Sequence, residues 1–266
     1  MVKAVVSGAA GRMGTRIISL IKDSGAVSVH GALESSGFFG IGSDIGEITG
    51  LGRLDVMVSS DVSGTLEGAD VLIDFSKPEA TLELGKTASE MGVALVIGTT
   101  GLDPDQIQEV QGFGRRVPCV FAPNMSVGVN LLLGVLSDVA RVLGDEYDVE
   151  IVEAHHRMKK DAPSGTAVKM AQVLAEALKR DLGEVGIYGR QGMVGERPAR
   201  EIGIHTVRGG DIVGEHTVLF AGIGERIEIT HRASSRDTFA KGAVRAAAWV
   251  ADQKPGLYSM KDVLGL

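Results

Sequence analysis

Up to about residue 122 the chain alternates short β-branched runs with stretches of helical period, and few topologies satisfy that alternation. Residues 2–7, 27–33, 56–59, 71–75, 94–97 and 117–121 read as strands. Residues 12–24 read as a helix with Met13, Ile17, Leu20 and Ile21 on one face. Residues 78–91, with proline in the first turn, and 104–115 read as further helices. Strands that alternate with helices pair in parallel, which predicts an α/β fold of Rossmann type: a doubly wound parallel sheet with helices on both faces. Only 4% of the residues are aromatic while 44% are hydrophobic, so the core must be built from Ala, Val, Ile and Leu, as such sheets are.

After residue 124 the rhythm changes. Residues 127–143 read as a long apolar helix, 149–153 as a strand, and 165–182 as another helix. Three strand-like runs between 201 and 231, with turns at Gly209-Gly210 and around Gly222 and Gly224, suggest a meander. Residues 237–252 return to a helical pattern. The expected organisation is a dinucleotide-binding domain of residues 1–126 and 237–266, with an α+β domain of 127–236 inserted into it. The glycine-rich segment 35–52 has no clear period and reads as a structureless loop, which at that length is often functional.

The stretch VVSGAAGRMG sets Gly8, Gly11 and Gly14 between the first strand and the first helix. Glycine there permits a tight turn, close approach of backbone to a pyrophosphate, and close helix–strand packing. The helix N-terminus adds free N–H groups and the positive end of its dipole. Glu34, at the end of the second strand, is placed to accept from the adenosine ribose hydroxyls. No cation follows it, since Ser35, Ser36 and Gly37 come next; that tilts the choice toward NADH, although Arg12 lies near in sequence. Two further loops leave the same sheet edge, IGTTG with Gly98, Thr99 and Thr100, and FAPNMS with Ala122, Pro123, Asn124 and Met125. Each is a plain turn by itself; together they could approach a nicotinamide ring.

The stretch EAHHRMKKDAPSGTA concentrates positive charge in a chain of net charge −7. A solvated loop is one reading. The run follows a strand, VEIVEA, which would position its side chains, and it ends where Pro163 and Ser164 open a helix. A cationic strand end facing the first N–H groups of that helix, those of Ser164, Gly165 and Thr166, makes a seat for carboxylates. A histidine near its ordinary pKa can donate a proton to the carbanion or enamine that hydride transfer creates. A lysine such as Lys159 can hold developing negative charge. Metal binding by the paired histidines is weakly supported, with no HExxH helix and no cysteine near them, and no metal is expected. His30, His205, His216 and His231 are scattered and read as structural.

The acidic balance argues against nucleic acid as a partner. A lone cysteine, Cys119, leaves no intrachain disulfide and points to a reducing compartment. The N-terminus reads directly as a strand without the features of a signal peptide, and no apolar run reads as long enough to span a bilayer. The expectation is a cytoplasmic protein with no membrane partner.

VVSGAAGRMG, DFSKPEAT, VIGTTG, FAPNMSVGVN, EAHHRMKKDAPSGTA and ERIEITHRASSRDTFAKGAVRAAAWV, taken together, resemble the dihydrodipicolinate reductase family nearly end to end. The resemblance implies an enzyme of lysine and diaminopimelate synthesis that uses NADH or NADPH to reduce a small dianionic cyclic substrate with loss of water. It implies His155 as proton donor, Lys159 as its partner in catalysis, and His156, Gly165 and Thr166 as ligands of the substrate carboxylates. It implies that Gly8, Ala9, Ala10, Gly11, Arg12, Met13, Glu34, Gly98, Thr99, Thr100, Ala122, Pro123, Asn124 and Met125 bind the cofactor, with Asp74, Phe75 and Ser76 beside the nicotinamide. It also implies a mixed sheet in a second domain that binds substrate and joins subunits into a homotetramer. Two positions depart from the pattern. Ser35 stands where some relatives carry arginine, which leaves NADPH use open, and Met158 stands where others have a further histidine.

Two rivals differ in kind: a semialdehyde dehydrogenase, and a non-catalytic nucleotide-sensing protein. The second has no use for the HHRMKK and PSGT arrangement. The first needs a thiolate nucleophile, and Cys119, inside the strand VPCVF, reads as a buried apolar residue. A Cys119→Ala variant is therefore expected to keep full activity in a cofactor-oxidation assay, and an inactive variant would favour the dehydrogenase.

Overall fold

The computed structural model describes residues 1–235 and 237–266. Arg236, which ends the inserted domain expected from the sequence, lies outside the described residues. The chain divides into two compact units, Met1–Val127 with Asp237–Leu266, and Gly128–Arg236.

The first unit runs β1 (Val2–Ser7), α1 (Arg12–Lys22), β2 (Val27–Leu33), α2 (Ile45–Ile48), β3 (Val58–Ser59), α3 (Val62–Leu66), β4 (Val71–Asp74), α4 (Pro78–Glu90), β5 (Ala94–Ile97), α5 (Pro104–Phe113) and β6 (Pro118–Phe121). The second holds most of α6 (Val127–Leu143), then β7 (Asp148–His155), α7 (Gly165–Ala177), α8 (Leu182–Val185), β8 (Gly186–Tyr188), β9 (Ile202–Arg208), β10 (Gly214–Ala221) and β11 (Arg226–Ala233). The chain then returns to the first unit as α9 (Asp237–Val250), β12 (Gly256–Tyr258) and α10 (Met260–Leu264).

The first unit carries the doubly wound sheet that the alternation demanded. Its order is β12-β6-β5-β4-β1-β2-β3, and every neighbouring pair is parallel. Successive residues serve opposite faces. Val5, Leu72, Leu95 and Cys119 pack with Ala88, Val110 and Phe113 on one side. Ala4, Val6, Ile73 and Val96 pack with Ile17 and Ile21 of α1 and with Ala243 and Ala247 of α9 on the other. Each fully buried Val, Leu or Ile side chain among these contributes roughly 1.5–3 kcal/mol. The buried face of α9 is built of four alanines, Gly242 and, at its end, Val250, so the helix lies very close to the loop after β6. A Cβ at Gly242 would sit 1.8 Å from the Met125 carbonyl oxygen. The start of α9 is tied to α1 by the Arg16–Asp237 ion pair, with two N···O distances of 2.6 Å.

The second unit has a mixed sheet of order β11-β10-β7-β9-β8. β7 pairs in parallel with β9 and antiparallel with β10. Of the meander expected between residues 201 and 231, the β10–β11 hairpin around Gly222 and Gly224 forms, but β7 separates β9 from β10. The Gly209-Gly210 turn passes over the end of β7 instead of closing a hairpin. Gly209 N–H donates to the His155 carbonyl (2.9 Å) and Arg157 N–H to that of Gly210 (3.2 Å). On one face Val149, Ile151, Ile204, Val218 and Phe220 pack with Leu132, Leu136, Met170 and Leu174 of α6 and α7.

Three other expectations are corrected. The helix read over 165–182 breaks after α7: Lys179 takes φ 54°, and the chain turns inward. There the buried Arg180 pairs with Asp145 (2.6 Å) and donates to the Arg200 carbonyl (3.0 Å). Residues 127–146, contrary to the sequence reading, are long and apolar enough to cross a bilayer by length and composition, with a mean hydropathy of 1.6. Val129, Leu132, Leu133, Leu136 and Ala140 are built into the core of the second unit, while Leu131 and Val135 are exposed. Segment 35–52 is not structureless. Buried Asp44 accepts N–H bonds from Gly46 (2.8 Å), Glu47 (3.1 Å), Leu54 (3.1 Å) and Val56 (3.0 Å), capping α2 and fastening the loop that follows. Burial would push this carboxyl pKa up; the four donors outweigh that and bring it below the ordinary value. An Asp44→Ala variant leaves those donors without their acceptor. It is expected to lose roughly 2–3 kcal/mol, read as a lower urea midpoint; an unchanged midpoint would show that water replaces the carboxylate.

Candidate active site

The order of the large sheet reverses between β1 and β4, and their carboxyl ends form a topological switch point, where doubly wound sheets bind ligands. The glycine turn sits there. Gly8 takes φ 55°, a conformation that favours glycine. Gly11 N–H closes the turn onto the Gly8 carbonyl at 2.9 Å. A Cβ at Gly14 would come within 2.2 Å of that same carbonyl oxygen, so helix and turn approach as only glycine permits. Gly11 caps α1 without a side chain, and the first turn of the helix has no acidic residue. Its N–H groups are thus presented for an anion, a cradle that fits a pyrophosphate. Arg12 is exposed and Met13 half-buried beside it. Glu34 accepts from Ala10 N–H at 2.9 Å, which ties the end of β2 to the turn.

Several residues expected around the cofactor are committed internally. The Asp74 side chain is buried and accepts from Ser7, from Ser76 (2.6 Å), from Thr81 and from Thr99 (3.0 Å). It therefore binds the carboxyl ends of β1, β4 and β5 to α4. Thr99, Ala9, Ala122 and Met125 are buried too. Phe75 is half-buried against Gly98, where a Cβ would lie 2.2 Å from its ring. Thr100 and Pro123 are exposed, and Asn124 accepts from Ser126 N–H at 2.9 Å. Gly98 to Thr100 and Ala122 to Asn124 follow the adjacent strands β5 and β6, so the three expected loops do meet at one sheet edge.

The basic segment begins on a strand. β7 extends to His155, so Glu153 and His155 share its buried face with Val149 and Ile151. Glu153 has no exposed surface. Its Oε2 lies 2.6 Å from His155 Nδ1 and 2.8 Å from Arg208 Nη1. Its Oε1 accepts from Arg208 Nη2 (2.9 Å), Ser164 N–H (3.0 Å) and the Thr206 hydroxyl (3.1 Å). Burial pushes the Glu153 pKa up, but Arg208, His155 and the Ser164 amide more than offset it and bring it down to about 2. For His155 burial dominates and lowers the pKa, against the pull of Glu153. Ser164 caps α7 through Ala167 N–H (3.2 Å), and its hydroxyl also meets His216 Nε2 at 3.1 Å. His216 stands edge-on to His155 at 5.1 Å between ring centres. Burial brings its pKa down to about 4, so it is neutral at pH 7.

His156 is half-buried after the strand, and Gly165 and Thr166 form the first turn of α7. Lys159 pairs with Asp161 at 2.8 Å. Sequence reasoning missed Glu153, Arg208 and His216 as parts of this constellation. Glu153 had a legible signal, since a glutamate two residues before His155 in a strand must share its face. Arg208 and His216 had none; they arrive from β9 and β10 by strand pairing alone. Among the described residues no group of three or more His, Cys, Asp or Glu is placed to hold a metal ion. Burial pushes the Cys119 thiol up to about 12, which makes it inert as a nucleophile.

A parallel sheet with a glycine cradle at its switch point, in one chain with an imidazole held by a buried acid, defines a dinucleotide-dependent oxidoreductase. Comparison with known proteins narrows the class. Residues 2–125 match the family described as dihydrodipicolinate reductase, N-terminus, and residues 128–264 match dihydrodipicolinate reductase, C-terminus. The chain belongs to the dihydrodipicolinate reductase family. It is 56% identical over 266 residues to the 4-hydroxy-tetrahydrodipicolinate reductase of Syntrophobacter fumaroxidans, covering 100% of both chains. It is 54% identical over 265 residues to that of Syntrophus aciditrophicus, covering 100% of this chain and 99% of the relative. Among solved structures, dipicolinate-bound dihydrodipicolinate reductase from Paenisporosarcina sp. TG-14 shares the fold, with a TM-score of 0.74, 24% identity and 97% coverage of each chain. An amine dehydrogenase from Mycobacterium smegmatis also shares it, with a TM-score of 0.61, 15% identity, and 97% and 95% coverage. The fold alone therefore does not decide the reaction.

The depressed pKa of Glu153 has a pH consequence. Its value of about 2 in the folded chain lies below the roughly 4.3 of an unfolded glutamate. Its stabilisation is thus complete above about pH 4.3 and is lost as pH falls through about 2. The urea midpoint is expected to fall on acidification through that window, and to fall less in a Glu153→Gln variant. Equal falls in both would assign the acid sensitivity to other carboxylates.

Proposed function

We propose that this chain reduces (2S,4S)-4-hydroxy-2,3,4,5-tetrahydrodipicolinate to (S)-2,3,4,5-tetrahydrodipicolinate with loss of water, in lysine and diaminopimelate synthesis, using NADH, NADPH or both. The observation that carries this reading is the buried carboxylate that joins the His155 imidazole to the first turn of α7. One group fit to hand over a proton and one fit to bind a carboxylate are thereby fastened to a single anchor.

The bound reduced nicotinamide supplies the hydride. In this reading Gly8, Ala9, Ala10, Gly11, Arg12 and Met13 cradle the phosphates, and Glu34 faces the ribose. The loop at 98–100, held by Asp74 and Phe75, and the loop at 122–125 border the nicotinamide together with those two residues. The substrate carboxylates meet His156, Lys159 and the N–H groups of Gly165 and Thr166, where the dipole of α7 favours negative charge. Lys159 must first release Asp161, which is 60% exposed. Lys159 is itself only 21% exposed, and a substrate carboxylate of the same charge as Asp161 can take its place. Loss of water, the ring hydroxyl leaving with a proton from the adjacent ring carbon, gives an electron-poor carbon that accepts the hydride, and His155 protonates the resulting enamine. Burial lowers the pKa of the imidazole and so makes its protonated form a stronger acid.

The reading includes a homotetramer in the cytoplasm. The face of the five-stranded sheet opposite α6 and α7, on which Val207 is 47% exposed, supports the association, and a single buried free thiol suits a reducing compartment.

The test is oxidation of NADH and of NADPH, side by side, by the native chain with the freshly cyclised substrate. His155→Ala and Lys159→Ala are each expected to lower kcat roughly 10²–10⁴-fold, with NADH affinity nearly unchanged. Equal losses of turnover and cofactor affinity would remove both residues from the chemistry, and a native chain inactive with both cofactors would overturn the reading.

A further inference from the structure

We propose that Glu153 is a positioning residue of this reaction: it holds His155 in the tautomer that carries its hydrogen on Nδ1, so that Nε2 is the atom that exchanges a proton with substrate. The inference rests on the reading of His155 as the proton donor.

An ionised carboxylate can only accept. With Oε2 2.6 Å from Nδ1, the imidazole must donate through that nitrogen, and its proton traffic is confined to Nε2. Two features make this more than a chance contact. The Arg208 guanidinium grips both oxygens, at 2.8 and 2.9 Å, while Ser164 N–H and the Thr206 hydroxyl take further lone pairs of Oε1. The carboxylate is thus fixed in plane and rotation before the histidine meets it. At the other nitrogen stands Gly214, where a Cβ would come within 3.1 Å of Nε2. The bare backbone of β10 leaves that atom room which any side chain would fill.

An ion pair that served folding alone would need only Arg208 and Glu153. The third partner is His155, and the charges around it differ in sign. Glu153 favours the imidazolium, while Lys159 and Arg208 oppose it. Asp161 is held by Lys159, and His216, on β10, adds no charge at neutral pH. Without the carboxylate, burial, Lys159 and Arg208 would all disfavour its protonated form.

The nitrogen-15 imidazole spectrum of the native chain tests the tautomer without any substitution. At a pH above the titration of His155, the proton is expected on Nδ1; a proton on Nε2 overturns the proposal. Glu153→Gln is then expected to lower kcat roughly 10²-fold, with KM for substrate and cofactor changing far less. The alkaline limb of its pH profile should move to lower pH. Transferred onto the His155→Ala background, the same substitution should cause little further loss, because a residue that acts through His155 has nothing left to position. A full further loss on that background, or an unshifted limb in Glu153→Gln, would count against positioning. Retained turnover in His155→Ala alone would instead sink the reading of His155 as proton donor, while the spectrum would still report on the tautomer. If Glu153→Gln does not fold, the native spectrum decides.

Discussion

Glu153 carries a negative charge at a place with no exposed surface, and a charge survives there only where donors stand in for the lost water. The donors come from distant parts of the chain: His155 from the same strand, Ser164 from the cap of α7, Thr206 and Arg208 from β9. Satisfying one carboxylate therefore fixes the relation of a strand end, a helix start and a neighbouring strand. The imidazole, the first turn of α7 and the Gly209-Gly210 turn all take their places from this anchor. The cationic segment that looks extravagant in the sequence is, at its root, organised around an anion.

The same device recurs in the first unit. Asp74 gathers the hydroxyls of Ser7, Ser76, Thr81 and Thr99 where the sheet order reverses. Asp44 gathers four backbone amides and makes an ordered loop of a glycine-rich stretch. In each case a buried acid collects donors from more than one segment of the chain. Such anchors suit a site that must be rigid while its surface stays free for ligands. A solved amine dehydrogenase shares the fold, so the fold alone does not decide the reaction.

Much of this was legible in the sequence, and what was legible had a local cause. Strand–helix alternation announced the parallel sheet, because period and length can be read without tertiary contacts. The glycine turn was legible because backbone conformation near Gly8 and packing at Gly14 depend on residues within a few positions. The histidines stood out by their spacing after VEIVEA. The misreadings have the opposite cause. The meander was expected because neighbouring runs usually pair, yet β7 separates β9 from β10. The break after α7 follows from the pairing of Arg180 with Asp145, 35 residues away. Ser7 and Thr99, 67 and 25 residues from Asp74, were invisible for the same reason, whereas the donors to Asp44 all lie within 12 residues of it.

The sequence alone determined the class of fold, the position of the dinucleotide turn and the identity of the titratable groups, since these rest on periodicity, backbone freedom and side-chain chemistry within short windows. Tertiary structure decided what those groups do. It turned Asp74 inward as a brace, gave Lys159 a provisional partner in Asp161, and brought Arg208 and His216 from separate strands to the surroundings of His155. The reason is that the burial, charge state and tautomer of a side chain depend on partners remote in the chain, and only folding brings those partners within reach.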